Sequence, residues 1–224
     1  MADKKGLFIV KKTGSFRHAE KSNGLFIVVE GIDGSGKTLQ AKMLAEYFRR
    51  KKKDVLFTHE PTRTTKLGRY IEKRIRKGVD NKAELLDLYT QDREAHLKDE
   101  MIPALKNGKI VICDRYSYST LAYQLPKEEW NSYINRFLRP DLALIYDVSS
   151  KEAMKRINSS IKQNERRFKK KAIFEKEKFL RVLRKKYLMM KGFKEVRIID
   201  SSPNPEKVFE KTSKEVEKFR RNFS

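Results

Sequence analysis

Along this chain, short continuous apolar runs alternate with longer stretches in which apolar residues recur every three or four positions. The runs predict strands at Phe26 to Val29, Val55 to Thr58, Ile110 to Cys113, Leu142 to Val148 and Val196 to Ile199. The periodic stretches predict helices at Leu39 to Arg50, Leu67 to Lys77, Lys82 to Gly108, Ser117 to Tyr123, Lys151 to Asn158, Glu175 to Met190 and Pro205 to Phe219. Apolar strands separated by helices imply an α/β fold, a mostly parallel sheet flanked by helices on both faces. Ligands bind such sheets at their carboxyl edge, which here collects Glu30, Thr58, Asp114 and Asp147.

The first strand runs into Gly31-Ile32-Asp33-Gly34-Ser35-Gly36-Lys37-Thr38, the GxxxxGKT pattern of a P-loop that cradles a nucleoside triphosphate. Its glycines let successive backbone N–H groups approach phosphate oxygens unobstructed. Lys37 supplies charge for the β- and γ-phosphates, the Thr38 hydroxyl can hold Mg2+, and the helix that follows presents its N-terminus. Strand, loop and helix stand in the required order.

Length and charge sharpen this picture. The 224 residues, 38% of them hydrophobic, suffice for one domain with a substantial core. No apolar run is long enough to span a membrane and the N-terminus lacks a signal-peptide pattern, so a cytoplasmic protein is expected. The lone Cys113 allows no internal disulfide and reads as a small buried strand residue. A net charge of +23 attracts polyanions, but the lysines lie at solvent-facing helical spacings, so a solvated surface is expected rather than functional nucleic-acid binding. Residues 1–23 are read as an N-terminal extension, disordered or an extra strand, ahead of a domain over 24–224. The polar, cationic stretch at about 159–172 is read as a lid.

A second constellation, Asp114-Arg115-Tyr116-Ser117-Tyr118-Ser119-Thr120-Leu121-Ala122-Tyr123-Gln124, follows the third strand. It resembles the DRYxxSxxAYQ signature of thymidylate kinases. Glu60-Pro61-Thr62-Arg63 is similar to that family's EP segment, and Tyr89-Thr90-Gln91-Asp92-Arg93 to its aromatic-x-x-D-R element. The resemblance implies a nucleoside monophosphate kinase-like fold, phosphoryl transfer from ATP to dTMP with Mg2+, a role in dTTP biosynthesis and a homodimer. A kinase for another nucleoside monophosphate, or a weakly catalytic basic nucleotide- or nucleic-acid-binding homologue, is the alternative.

By the same resemblance, Gly31 to Thr38 bind the ATP phosphates, and Thr38 and Asp114 the metal. Arg63 and Arg115 hold the acceptor phosphate as planar forks. Tyr89 faces the base, with Arg93, Thr120 and Gln124 as polar readers. Glu60, Pro61 and Ser119 belong to the same pocket, Tyr123 crowds the sugar 2′ position, and Asp33 receives the 3′-hydroxyl. Lys37, Asp33 and Arg115 are the expected catalytic set. Some family members carry an arginine in the phosphate loop where this chain has Gly34, so Arg166 or Arg167 of the lid is expected to supply that cation, with Arg156 in reserve. The lid departs from the family pattern in having Ala172-Ile173 before Phe174-Glu175.

Overall fold

The computed structural model describes residues 24–76, 81–160 and 170–221; side chains at 76, 160 and 170–175 are not described. Five strands form one parallel sheet: β1 (Leu25–Glu30), β2 (Val55–His59), β3 (Ile110–Asp114), β4 (Leu142–Asp147) and β5 (Val196–Asp200), in the order β2-β3-β1-β4-β5. The central strands β1 and β3 are buried along almost their whole length. That is why they read as unbroken apolar runs: alternate residues face opposite layers, and both layers are covered.

Phe26, Val28, Val111, Cys113, Ala143 and Ile145 pack on one face against α5 (Ser117–Gln124), α6 (Trp130–Ile134) and α8 (Lys170–Met189). Ile27, Val29, Ile110, Ile112, Leu142 and Leu144 pack on the other against α1 (Lys37–Arg50) and α9 (Pro205–Arg221). In α1 the residues Lys37, Gln40, Ala41, Leu44, Ala45 and Phe48 are buried, an unbroken stripe at helical spacing.

The expected helix over 82–108 is divided. α3 (Lys82–His96), capped by the Asn81 side chain, passes through a π-helical turn (Leu97–Met101) into α4 (Ile102–Lys106), which begins with Pro103 in its first turn. α2 (Lys66–Arg76) precedes it. α7 (Ser150–Ser160) and α8 extend into both ends of the stretch expected as a lid. The 1–23 extension and residues 161–169, including Arg166 and Arg167, lie outside the described residues. The short α6 had no counterpart among the expected elements. Cys113 is buried in β3, as expected.

Parallel register aligns the strand ends: Val29 pairs with Asp114, His59 with Asp114, Glu30 with Ile145 and Asp147 with Asp200. The polar chemistry therefore gathers along one edge, between the loops that follow β1, β2, β3 and β4.

Candidate active site

The loop between β1 and α1 turns through left-handed backbone at Gly34 (φ 80°) and Gly36 (φ 82°). A Cβ on Gly34 would collide with the Ala153 carbonyl, so this position needs glycine for space as well as for conformation. Gly36 caps α1 without any side chain competing for the helix's free N–H groups, which leaves that positive terminus open to an anion. Lys37 is buried there, its Nζ 3.6 Å from Asp33 Oδ1. Burial, with the charge of Arg115, pushes its amine down to about 8, against the pull of Asp33, Asp114 and Glu30. An anion at this spot would favour the charged form again.

Thr38 Oγ1 donates to Asp114 Oδ2 at 2.6 Å. Asp114 Oδ1 is buried and, like Ser35 Oγ, has no hydrogen-bond partner among the described residues. A hydroxyl beside an unsaturated carboxylate oxygen is a hard-oxygen donor set, which fits Mg2+.

Arg115, leaving β3, has φ 70°, an uncommon conformation for a residue other than glycine and the kind of strain that accumulates at functional sites. Its guanidinium donates to Asp33, to Ser119 Oγ at 3.1 Å and to the Gly31 carbonyl at 3.4 Å. It lies 5.6 Å from the Tyr123 ring centroid. Burial would raise the Asp33 carboxyl, but Arg115, Lys37 and Lys176 outweigh it and hold the group below its ordinary value. Burial pushes the Tyr89 and Tyr123 phenols up to about 12 despite the nearby Arg115 charge, so both remain neutral rings at physiological pH. Gln124 Oε1, buried, has no partner among the described residues.

Arg93 is 1% exposed. It donates to Glu60 from Nε at 2.8 Å, to Tyr133 Oη at 2.8 Å and to Thr120 Oγ1 at 3.2 Å. Its plane lies over Phe137 and Tyr116 at 5.1 and 5.2 Å. Pro61 follows a cis bond from Glu60. Asp92, on the preceding position of α3, accepts from Thr62 N at 2.7 Å and from the hydroxyls of Thr62 and Thr65, and so anchors the loop that carries Arg63. Arg63 itself is 71% exposed and pairs with Glu72 at 3.2 Å. Arg156 sits elsewhere, donating to the Ser201 and Ser202 carbonyls and pairing with Glu152. There it walls a cavity of about 370 Å³ that opens beside Ser35 and Gly36 and is lined also by Leu39, Gln40 and Pro203.

The comparisons with known proteins identify the kind of chain that carries these residues. The family model for thymidylate kinase matches residues 29–212. The chain belongs to the thymidylate kinase family. It is 43% identical over 200 residues to a probable thymidylate kinase of Pyrococcus abyssi (84% of this chain, 93% of that one). It is 41% identical to one of Thermococcus onnurineus (82% and 93%) and 38% to one of Methanosarcina acetivorans (83% and 91%). A thymidylate kinase transfers the γ-phosphoryl group of ATP to dTMP to give dTDP and ADP, a step of nucleotide biosynthesis. Among the described residues no helix is long and apolar enough to cross a membrane.

Glu30 was placed on the sheet's carboxyl edge from the sequence without a role, and His96 was not singled out as a site residue. Glu30, fully buried, accepts from Tyr116 N, Ser119 N, Ser119 Oγ and Tyr187 Oη. Burial raises its pKa although all these donors and Arg115 oppose that rise. His96 lies between Glu60 (3.4 Å), Glu100 (3.1 Å) and Thr58 (2.8 Å). A carboxylate ending an apolar strand, as Glu30 does, is the one local signal the sequence offered for any of them.

Proposed function

We propose that the loop Gly31 to Thr38 binds the ATP phosphates and that dTMP occupies the space between Arg115, Tyr89, Tyr123 and Gln124. The observation that carries this assignment is the Arg115–Asp33 pair, 3.6 Å from Lys37 through the same Asp33 oxygen. It joins the donor cradle to the acceptor side. An acceptor phosphate on the Arg115 fork lies next to the Lys37 amine, so its oxygen is held for in-line attack on the γ-phosphorus, with ADP leaving. The attacking phosphate is already anionic, and no strong base is required.

Lys37 and Arg115 stabilise charge on the transferring group, and Asp33 orients both cations and accepts from the sugar 3′-hydroxyl. Tyr89 stacks on the thymine, Tyr123 crowds the 2′ position, and Gln124 and Thr120 provide polar contacts. Ser119 and Glu60 act by orienting Arg115 and Arg93; Arg93 keeps a donor edge toward the base, and Pro61 shapes the turn. Arg63 reaches the acceptor phosphate by leaving Glu72. The adenine of ATP takes the cavity beside Arg156, near Gln40 Oε1, which has no hydrogen-bond partner among the described residues.

Thr38 and Asp114 hold Mg2+, which when bound neutralises and orients phosphate oxygens. Arg166 and Arg167 belong to a lid at about 159–172 in a domain over 24–224, with 1–23 dispensable. The protein acts in the cytoplasm as a homodimer, for which Tyr70 and Ile75 of α2 offer exposed apolar surface.

The test is ADP release with Mg-ATP against dTMP, dUMP, UMP, CMP and AMP, for the natural chain and for Arg115→Lys. Preference for dTMP, with a raised dTMP KM in the variant and an unchanged ATP KM, is expected. An Arg115→Lys enzyme with an unaltered dTMP KM would remove Arg115 from the acceptor site.

A further inference from the structure

The acceptor arginine does not stand alone, and the group that completes its support comes from α8. Glu30 Oε1 accepts from two backbone donors, Tyr116 N at 2.7 Å and Ser119 N at 3.1 Å. Glu30 Oε2 accepts from two hydroxyls, Ser119 Oγ at 2.6 Å and Tyr187 Oη at 3.1 Å. Four donors saturate the lone pairs of one buried carboxylate. The Ser119 hydroxyl gives its single proton to Oε2, so Ser119 Oγ is left with lone pairs only. One of them receives Arg115 Nη1 at 3.1 Å, and Tyr187 Oη stands 3.0 Å from the same oxygen.

We propose that Tyr187 is a positioning residue for phosphoryl acceptance: its hydroxyl fixes the Ser119 hydroxyl on Glu30, and Ser119 in turn aims the Arg115 guanidinium at the acceptor phosphate. Tyr187 is 2% exposed. Its neighbour one turn back, Arg184, grips Asp147 through two bonds of 2.6 and 2.8 Å, so the helix segment that presents the hydroxyl is itself fixed to the sheet edge. Remove the hydroxyl and Oε2 keeps one donor. Ser119 Oγ then loses the hydroxyl that packs it at 3.0 Å, and the oxygen that receives Arg115 is free to shift out of line. Among the described residues Tyr187 has no hydrogen bond to the phosphate loop, so the consequence falls mainly on dTMP, with ATP touched only through the bonds of Arg115 to Asp33 and Gly31.

The inference rests on Arg115 as the acceptor-phosphate anchor, and the test separates the two. Tyr187→Phe, Ser119→Ala, the double variant and Arg115→Lys are compared in steady-state kinetics with both substrates varied, alongside their melting temperatures. For Tyr187→Phe, kcat/KM for dTMP should fall about three- to tenfold, the loss of one modest hydrogen bond, with KM for ATP changed by less than about twofold. The double variant should be no worse than the poorer single one, because both act on one chain of bonds. Equal losses on both substrates, unchanged dTMP kinetics, or single effects that multiply in the double variant would each overturn the role of Tyr187. If Tyr187→Phe is silent while Arg115→Lys loses dTMP, this inference alone falls. If Arg115→Lys keeps normal dTMP kinetics, the anchor reading falls and takes the inference with it.

Discussion

The pair most exposed to a quantitative test is Arg93 with Glu60, because neither side chain has water to fall back on: they are 1% and 3% exposed. Glu60→Ala removes the bonds to Arg93 at 2.8 and 2.7 Å and the His96 contact at 3.4 Å. The guanidinium is left with two neutral acceptors, Tyr133 Oη and Thr120 Oγ1, and with aromatic faces that cannot replace a carboxylate. The Nε hydrogen bond and the Nη2 ion pair end on one Glu60 oxygen, and stranding the buried charge that they compensate costs about 3–5 kcal/mol. Glu60→Gln keeps one acceptor oxygen and should lose roughly half as much.

Urea denaturation followed by circular dichroism, with an unchanged m-value, measures both losses. The decisive variant is Glu60→Leu with Arg93→Met. If the single loss is mostly a stranded charge, removing both charges should leave the double variant more stable than Glu60→Ala. A loss under about 1 kcal/mol for Glu60→Ala would mean that water reaches Arg93 and would refute the reasoning. So would a double variant that pays the full sum of both single losses.

Three further outcomes follow from other parts of the molecule. Gly34→Ala should reduce ATP binding sharply and destabilise the fold by about 1–3 kcal/mol, through φ 80° and the Ala153 carbonyl; calorimetric titration with ATP and a melting curve check both. Bonds from Lys211 and Ser202 hold Asp200 down at about 2 from 3.8, so its contribution is present above pH 4 and disappears as pH falls toward 2. The site is largely exposed, so Asp200→Asn should flatten the acid limb of the stability curve by less than about 1 kcal/mol. Burial pushes the Cys113 thiol well above its ordinary value, so a thiol reagent should label it only at the rate of unfolding; rapid labelling of native protein would contradict its place in the core.

The strands were legible because the central ones are covered on both faces, which turns them into apolar runs with no competing helical period. The π-helical turn was not legible: Leu97 and Met101, both fully buried, keep an ordinary i, i+4 spacing, and nothing in the sequence announces that the turn between them widens. Nor was α6, whose five residues are too few for a period to emerge. Arg63 had the residue type and motif of a phosphate anchor, yet motif and residue type say nothing of whether the side chain points inward or, as here, pairs with Glu72 at the surface.

The site divides along the same line. Residues with a reason to touch a nucleotide lie inside short motifs, where spacing and residue type carry the chemistry: Gly31 to Thr38, Arg115 to Gln124, Tyr89 to Arg93. The residues that hold them come from far along the chain. Glu30 is bonded to Tyr187 across 157 positions, and Ser119 to Tyr187 across 68. No local pattern relates such residues; the sheet order, which places β1 beside β3, and the packing of α8 against α5 bring them together. Glu30, Glu60 and Asp92 do one kind of work: each is a buried carboxylate that accepts from the backbone or side chains of a neighbouring loop or helix and so fixes where a cation or loop can stand. Precision in phosphoryl transfer depends on that arrangement, because positioning and charge are nearly all the protein contributes to the reaction. The support is therefore as much a part of the enzyme as the motifs, and substitutions there should alter kinetics while every motif residue remains in place.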